Sequence, residues 1–459
     1  MSILEKIKED YQKVSDLVIK DIKNINIIYL ETLVSQDKIN EYILKFTNVY
    51  RIPKDIKKLI PSPNVKDIDG YDNLKLYLET GFTIIINREQ IIAIETKGEL
   101  TRSIETPSTE PTLYGAKDSL NENFQTNLGL IKRRIKSEHL KDETFNVGRY
   151  SKTMVNMLYI DNIVETDLIF KVRNKLNDIV IDGVNDIGEL KQFLHKDDAN
   201  VFSAFRITER PDVISKSLLE GKIIILMDTS PYALIIPTFL ADFINPISDD
   251  YTKSINVNFL KTLRFFCFFL SLITPALYIS IMTFNQETIP TNLLLNFQNQ
   301  RAGVPFPSII ECLITLITCE ILRESDIRFP SKYGSAISIL GGLVLGEAAV
   351  SAGIVSPIMI IVVAMTFISS MIFTDVEIMN AIRMWRFVFL LSACLYGLYG
   401  VGIVFIFFIA NLASYESFGK PYLFPLAPFD KPYLKETLLK MRNKRRSSML
   451  SKNSYKGEA

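Results

Sequence analysis

The residues best suited to chemistry lie in an uncharged part of the chain. Residues 333–374 carry a single charge, Glu347. An ionisable group in so long an apolar run must face water or a partner, which makes it a candidate for an ion pathway. Gly334, Ser338, Gly342 and Gly346 lead up to it at four-residue spacing, and on a helix that spacing draws one smooth stripe. Two readings suit the stripe. It is either a close helix–helix contact, with Gly342 and Gly346 as a GxxxG pair, or the wall of a narrow pore, where small side chains leave room for an ion. A second group of charges, Glu311, Glu320, Arg323, Glu324, Asp326 and Arg328, clusters beside the apolar stretches. Opposite signs three or four apart fit a salt-bridged collar, and equally a gate or a contact with a partner subunit. Asp375 and Glu377 with Arg383 and Arg386 admit the same pair of readings.

Other chemistries find little support. The four cysteines (Cys267, Cys312, Cys319, Cys394) all fall in the apolar half, no CxxC occurs, and His139 and His195 are the only histidines. A structural zinc site and disulfides are therefore not expected. No Walker loop, GxGxxG or GxSxG is present, and two histidines in polar segments cannot be assembled with a nucleophile and an orienting group. An enzyme is the least expected class, and no cofactor is called for. A net charge of +1 argues against a nucleic-acid binder that works by bulk electrostatics.

The elements that position these residues divide by charge. Residues 1–264 are rich in Lys, Asp, Glu and Asn, whereas 265–411 hold long uncharged stretches. The expectation is a cytoplasmic N-terminal α/β region of two subdomains (1–145 with a linker helix, and 146–255), an α-helical polytopic membrane domain (256–415) and a basic cytoplasmic tail (416–459). In the first subdomain, 25–34 reads as a strand, 36–46 as an amphipathic helix and 81–96 as a hairpin turning at Asn87–Gln90. In the second, 152–161 reads as a strand. Val164, Leu168, Val172 and Leu176 mark one helix face, and 188–194 is a further short helix. Pro211 and Gly221 bracket another, and 222–228 and 233–237 read as buried strands. The start of the chain is charged and shows no apolar signal segment, so this region is expected to stay cytoplasmic.

Residues 265–284 are uncharged and long enough, at about 30 Å, to cross one hydrocarbon core. Lys253, Lys261 and Arg264 precede them, which places that end inside. Pro275 sits mid-span, where a neighbouring helix can satisfy the carbonyl it frees. Residues 333–374 suffice for two spans with a turn near Gly353–Pro357. Residues 387–415 read as one more, with Trp385 and Arg386 as interface anchors. The basic positions Lys440, Arg442, Lys444, Arg445 and Arg446 put the C-terminus inside as well, so the number of crossings is even. The segment 308–322 carries Glu311 and Glu320 and reads as re-entrant or interfacial, giving four spans. The alternative is that it crosses and a sixth crossing lies elsewhere.

Certain segments carry a family resemblance: GRYSKT (148–153), TERPDVISKSLLEG (208–221), DTSPYALIIPT (228–238), ETIPTNLL (287–294), RAGVPFPSIIE (301–311), EILRESDIRFP (320–330), GGLVLGEAAVSAGIVSP (341–357) and SFGKPYLFPLAP (417–428). In this order they resemble the GerA family of bacterial spore germinant receptors, and its A subunit in particular. The resemblance implies an inner spore membrane protein that oligomerises into an ion channel. It also implies two partners, a transporter-like B subunit and a lipoprotein C subunit. Two departures stand out. The family usually has Arg-Gly-Pro where this chain has Tyr114, Gly115 and Ala116, and most relatives have Gln where Glu347 stands. A secondary transporter or a scaffold subunit of a related spore membrane complex are the other readings. Paired halves with broken helices, which a transporter would need, are not visible in 265–411.

Overall fold

The computed structural model describes residues 3–22, 25–45, 60, 62, 64–87, 90–97, 106–107, 109–112, 114–195, 200–328, 344, 346–431 and 433–434. The first sheet is antiparallel, with β1 (Leu17–Ile22), β2 (Ile25–Leu30), β3 (Val65–Asp67), β4 (Phe82–Ile86) and β5 (Ile91–Glu95) in the order β1-β2-β4-β5-β3. Both of its faces are covered, which explains why β2 is nearly all apolar rather than alternating. Ile25, Ile27 and Tyr29 pack with Ile39 and Ile43 on one side. Ile28 and Leu30 pack on the other with Ile7 of α1 (Ile3–Asp10) and with Leu74 and Leu78 of α3 (Tyr71–Glu79). Ile39 ends α2 (Gln36–Ile39). The expected hairpin is present, closed by the Asn87 N–H donating to the Gln90 carbonyl at 2.9 Å.

The second sheet comprises β6 (Leu140–Val147), β7 (Thr153–Ile160), β8 (Arg206–Thr208), β9 (Ile223–Met227) and β10 (Ala233–Ile236), in the order β6-β7-β9-β10-β8. Its first strand straddles the subdomain boundary expected at 145–146 and pairs with β7 along its whole length, so this sheet begins at Leu140. One face packs α4 (Phe124–Arg134). The other packs α5 (Thr166–Asn177), through Leu168, Val172 and Leu176, and α6 (Ile187–Leu194). Helix α7 (Pro211–Leu219) opens with Pro211 at its first turn, where a missing N–H costs nothing. It stops before Gly221, whose φ of +83° suits a residue without a Cβ.

The second core runs without a break into the helical half, taking in Phe268, Leu272, Phe389 and Phe408. That half contains α8 (Leu240–Ile244), α9 (Ser254–Thr283), α10 (Thr291–Arg301), α11 (Ser308–Arg328), α12 (Pro357–Ser370) and α13 (Val376–Ser414). Among the described residues, α9 and α13 are long and apolar enough to cross a membrane, and α12 is a shorter apolar helix. The turn expected near Gly353 is present, with φ +66° at that glycine and α12 starting at Pro357.

One expectation is overturned here. Residues 387–415 are not a single straight span, because α13 folds back on itself at Gly397, whose backbone (φ 57°, ψ −140°) is non-helical. The ring centroids of Trp385 and Phe408 are 5.1 Å apart, and those of Phe389 and Phe408 are 6.0 Å apart. Twenty-three residues of straight helix would separate the first pair by about 35 Å. The reversal needs glycine twice over. L-residues resist positive φ, and a Cβ at Gly397 would lie 2.9 Å from the Cβ of Phe284, at the end of α9.

The segment after α13 also differs from expectation. Residues 416–431 pack against the second α/β subdomain instead of trailing from it. Tyr422 is fully buried, the Ser417 hydroxyl donates to the Ala204 carbonyl at 2.7 Å, and Lys420 pairs with Glu165 at 2.6 Å. The basic positions 440–446 lie outside the described residues.

Candidate functional site

The polar residues of the helical half gather along α11 and face its neighbours. Glu311 is completely buried near the start of that helix. Its carboxylate accepts a hydrogen bond from the Ser356 backbone N–H at 2.6 Å and another from the Ser356 hydroxyl, and Arg301 at the end of α10 stands 3.7 Å away. Nine residues on, about 13 Å along the helix axis, Glu320 lies 2.9 Å from the Arg383 Nε and 3.7 Å from the Arg386 Nη1. Arg323, one turn further, donates to the Ser370 hydroxyl at 3.1 Å and sits over the Phe367 ring. The sequence spacing suggested a salt-bridged collar, with a gate or a partner contact as the alternative. The structure instead divides these residues into two clusters and pairs them between helices, because the carboxylates point into the bundle, where cations on α10 and α13 meet them. Glu324 is exposed, and Arg328 ends α11 with its side chain outside the described residues.

Arg386 departs furthest from expectation. It is 1% exposed, inside the bundle and not at an interface. Its Nε donates to the carbonyl of Ser271 at 2.8 Å. Ser271 is four residues before Pro275, so this is the carbonyl that Pro275, lacking an N–H, leaves without its helical partner. The sequence anticipates that a neighbouring helix would supply a donor, but not which residue. The only sign was an arginine adjoining an uncharged run.

Of the small-residue stripe, Gly334, Ser338 and Gly342 lie outside the described residues. Gly346 lies on a helical turn. A Cβ added there would meet no described atom within 4 Å, and Glu347 beside it is exposed.

Ion pairs and hydrogen bonds fix the helices to the α/β region. Lys191 of α6 pairs with Glu377 at the start of α13, and Arg264 of α9 holds Asp249 with contacts of 2.7 and 2.8 Å. Asp375 caps α13 by accepting from the Glu377 N–H at 2.9 Å. Burial pushes the Asp375 carboxyl up to about 6, against the pull of Arg206.

The linker before the second sheet is held by the TERPD segment. Glu209 accepts from the backbone N–H groups of Thr109 and Glu110, at 2.6 and 3.1 Å. Arg210 is 1% exposed and donates to Asp212 at 2.8 and 3.0 Å. It also donates to the carbonyls of Glu110 (3.0 Å) and Ala116 (2.9 Å). The contact at Ala116 uses the backbone, so it survives the departure from Arg-Gly-Pro at 114–116. Burial raises the Asp212 carboxyl, but hydrogen bonds from Arg210 and Tyr251 outweigh it and hold the group below its ordinary value.

Two α/β subdomains joined to a bundle with two long apolar helices point to a membrane protein. The chain belongs to the Bacillus/Clostridium GerA spore germination protein family, matching the family model over residues 5–449. It is 34% identical to spore germination protein KA of Bacillus subtilis (strain 168), over 95% of this chain and 83% of that one. It is 32% identical to spore germination protein GerQA of Bacillus cereus, over 95% and 90%. It is 35% identical to the uncharacterized membrane protein YfkQ of Bacillus subtilis (strain 168), over 76% and 68%. Among solved structures it is similar to the N-terminal domain of the A subunit of the Bacillus megaterium spore germinant receptor GerK3. That likeness covers 50% of this chain and 92% of that domain at 26% identity, with a TM-score of 0.37.

Proposed function

We propose that this chain is the A subunit of a nutrient germinant receptor of the inner spore membrane, and that several copies assemble into a cation channel. The observation that carries the channel reading is Glu347. It is an exposed carboxylate on the outside of its own bundle, beside the open surface at Gly346. In lipid, a lone copy would press that charge against acyl chains at a cost of several kcal/mol, whereas copies meeting around a wet axis keep it hydrated. Gly334, Ser338, Gly342 and Gly346 then form the narrow wall. The partners are a transporter-like B subunit and a lipoprotein C subunit.

We further infer six crossings instead of four. Cys312 of α11 packs with Ile279 of α9, and Glu320 lies near Ser271 through Arg386, so α11 runs antiparallel to α9; the reversal at Gly397 turns one expected span into two arms. Helix α11, the segment leading to Gly346, α12 and both arms of α13 then join α9, and both termini remain cytoplasmic.

Cation flux from liposomes containing the full-length protein tests the channel, with tryptophan placed singly at Ser338, Gly342 and Gly346. The expected result is blocked or altered flux and delayed ion release from spores. Wild-type flux in all three variants at normal protein levels overturns the pore assignment. An oligomer that conducts nothing is a scaffold.

A further inference from the structure

Arg383 and Arg386 converge on one carboxylate, Glu320, and Arg323 stands alongside over the Phe367 ring with its hydrogen bond on Ser370. Arg323 and Arg386 lie 4.9 and 5.6 Å from the centroid of the same Phe367 ring. Among the described contacts of this cluster, guanidiniums outnumber carboxylates, and in a dehydrated bundle excess positive charge is costly unless something answers it. Hydrogen bonding does not use up the donors. Arg386, 1% exposed, spends its Nε on Ser271, and its Nη1 and Nη2 have no hydrogen-bond partner among the described residues. The Nε of Arg383 and both oxygens of Glu320 form charge contacts without hydrogen bonds. The cluster is not sealed, since the Arg383 side chain keeps about a quarter of its surface exposed, at 27%. Its depth is also defined. Ser271 lies seven residues beyond Arg264, about 10 Å past the polar boundary on the side that faces the α/β region.

We propose that this cluster is a binding site for a phosphate-type oxyanion, held in the forks of Arg386 and Arg383 with Arg323 alongside. Guanidinium forks match such an anion in geometry as well as charge, and basic pockets between helices near the cytoplasmic leaflet suit lipid phosphates. The source is an anionic lipid headgroup or a free phosphate. Bound there, the anion neutralises the excess charge and ties α11 to α13, with Glu320 as its competitor for the same donors. The site depends on the membrane reading but not on the channel.

The competition supplies the test. Full-length protein, stripped of lipid in a neutral detergent, is titrated with inorganic phosphate and separately placed in nanodiscs of phosphatidylglycerol or phosphatidylcholine, with thermal unfolding as the readout. The expected result is stabilisation by phosphate or by phosphatidylglycerol, but not by phosphatidylcholine. Phosphate acting in detergent identifies a free anion, and phosphatidylglycerol acting alone identifies a headgroup. Arg386→Gln weakens the apparent affinity about tenfold or more, as the loss of a charge-assisted fork requires. Glu320→Gln strengthens it, because removing the competitor frees the donors. A cluster that is merely an ion-pair brace predicts the reverse for Glu320→Gln, which is a less stable protein that phosphate and phosphatidylglycerol do not rescue. That result, or equal stability in both lipids with no response to phosphate, overturns the site.

Discussion

Replacing Gly397 with alanine discriminates the folded-back form of α13 from a straight span by the sign of its effect. Within an uninterrupted helix, Gly→Ala is stabilising by about 1 kcal/mol, since it restricts the unfolded chain and suits the helix. At the observed reversal the same methyl group is costly. It would occupy a positive-φ conformation (φ 57°, ψ −140°) that is nearly reserved for glycine, worth about 1–3 kcal/mol against an L-residue. It would also stand 2.9 Å from the Phe284 Cβ and Cγ, an overlap whose relief typically costs about 1–3 kcal/mol. The expected loss is about 2–6 kcal/mol. Denaturant-driven unfolding of the purified protein in a fixed detergent reads it, with intrinsic fluorescence following Trp385, which packs 5.1 Å from Phe408 across the fold. Gly402 lies beyond the reversal, and a Cβ there meets no described atom within 4 Å; Gly402→Ala is the control and is expected to be neutral or stabilising. A Gly397→Ala protein at least as stable as the original refutes the folded-back geometry and restores the single span.

Three further outcomes follow from the contacts described. Pro275→Ala restores the N–H that competes with Arg386 for the Ser271 carbonyl, so it and Arg386→Gln should be non-additive by about 0.5–3 kcal/mol in a double-mutant cycle; additive effects sink that link. Arg210→Ala strands the buried Asp212 and should cost about 3–5 kcal/mol, together with faster proteolysis of the 109–116 linker; unchanged thermal unfolding contradicts it. Asp375 has a folded pKa of about 6 against an ordinary 3.8. The folded state therefore holds the extra proton between these values, and stability falls as pH rises through roughly 4 to 6, by about 3 kcal/mol. Asp375→Asn keeps the cap and should flatten that slope; an unchanged slope assigns the dependence to other groups.

Much of the α/β region was legible because both of its cues are local. Runs such as Ile25–Leu30 and Ile223–Met227 announce buried strands, and Pro211 with Gly221 punctuates a helix. What escaped was long-range. The uncharged run 387–415 gives hydropathy no reason to break. What makes Gly397 the reversal includes a contact with Phe284, more than a hundred residues away. The charges at 320–328 invited pairing by sequence spacing, but burial set the outcome: Glu320 points into the bundle, where Arg383 and Arg386 of α13 meet it. Arg386 looked like an anchor because arginines commonly sit where an apolar run begins. Its true partner was created by a proline on another helix. The family membership was legible throughout, because motifs such as TERPD are read from the residues themselves and do not wait on their contacts.

Both ends of the folded-back helix α13 are fastened to the same α/β subdomain: Lys191 grips its start, and Ser417 and Lys420 grip the chain just past its end. Such a loop has no free foot, so it behaves as a mast stepped on the α/β region. The first arm, from Val376 to Tyr396, is about 31 Å long, so a tilt of only about 5° at the base sweeps the tip at Gly397 sideways by about 3 Å, more than half the 5.4 Å pitch of a helical turn. A modest rocking of the α/β region is thereby enlarged at the far end of the helical half, where the tip bears on Phe284.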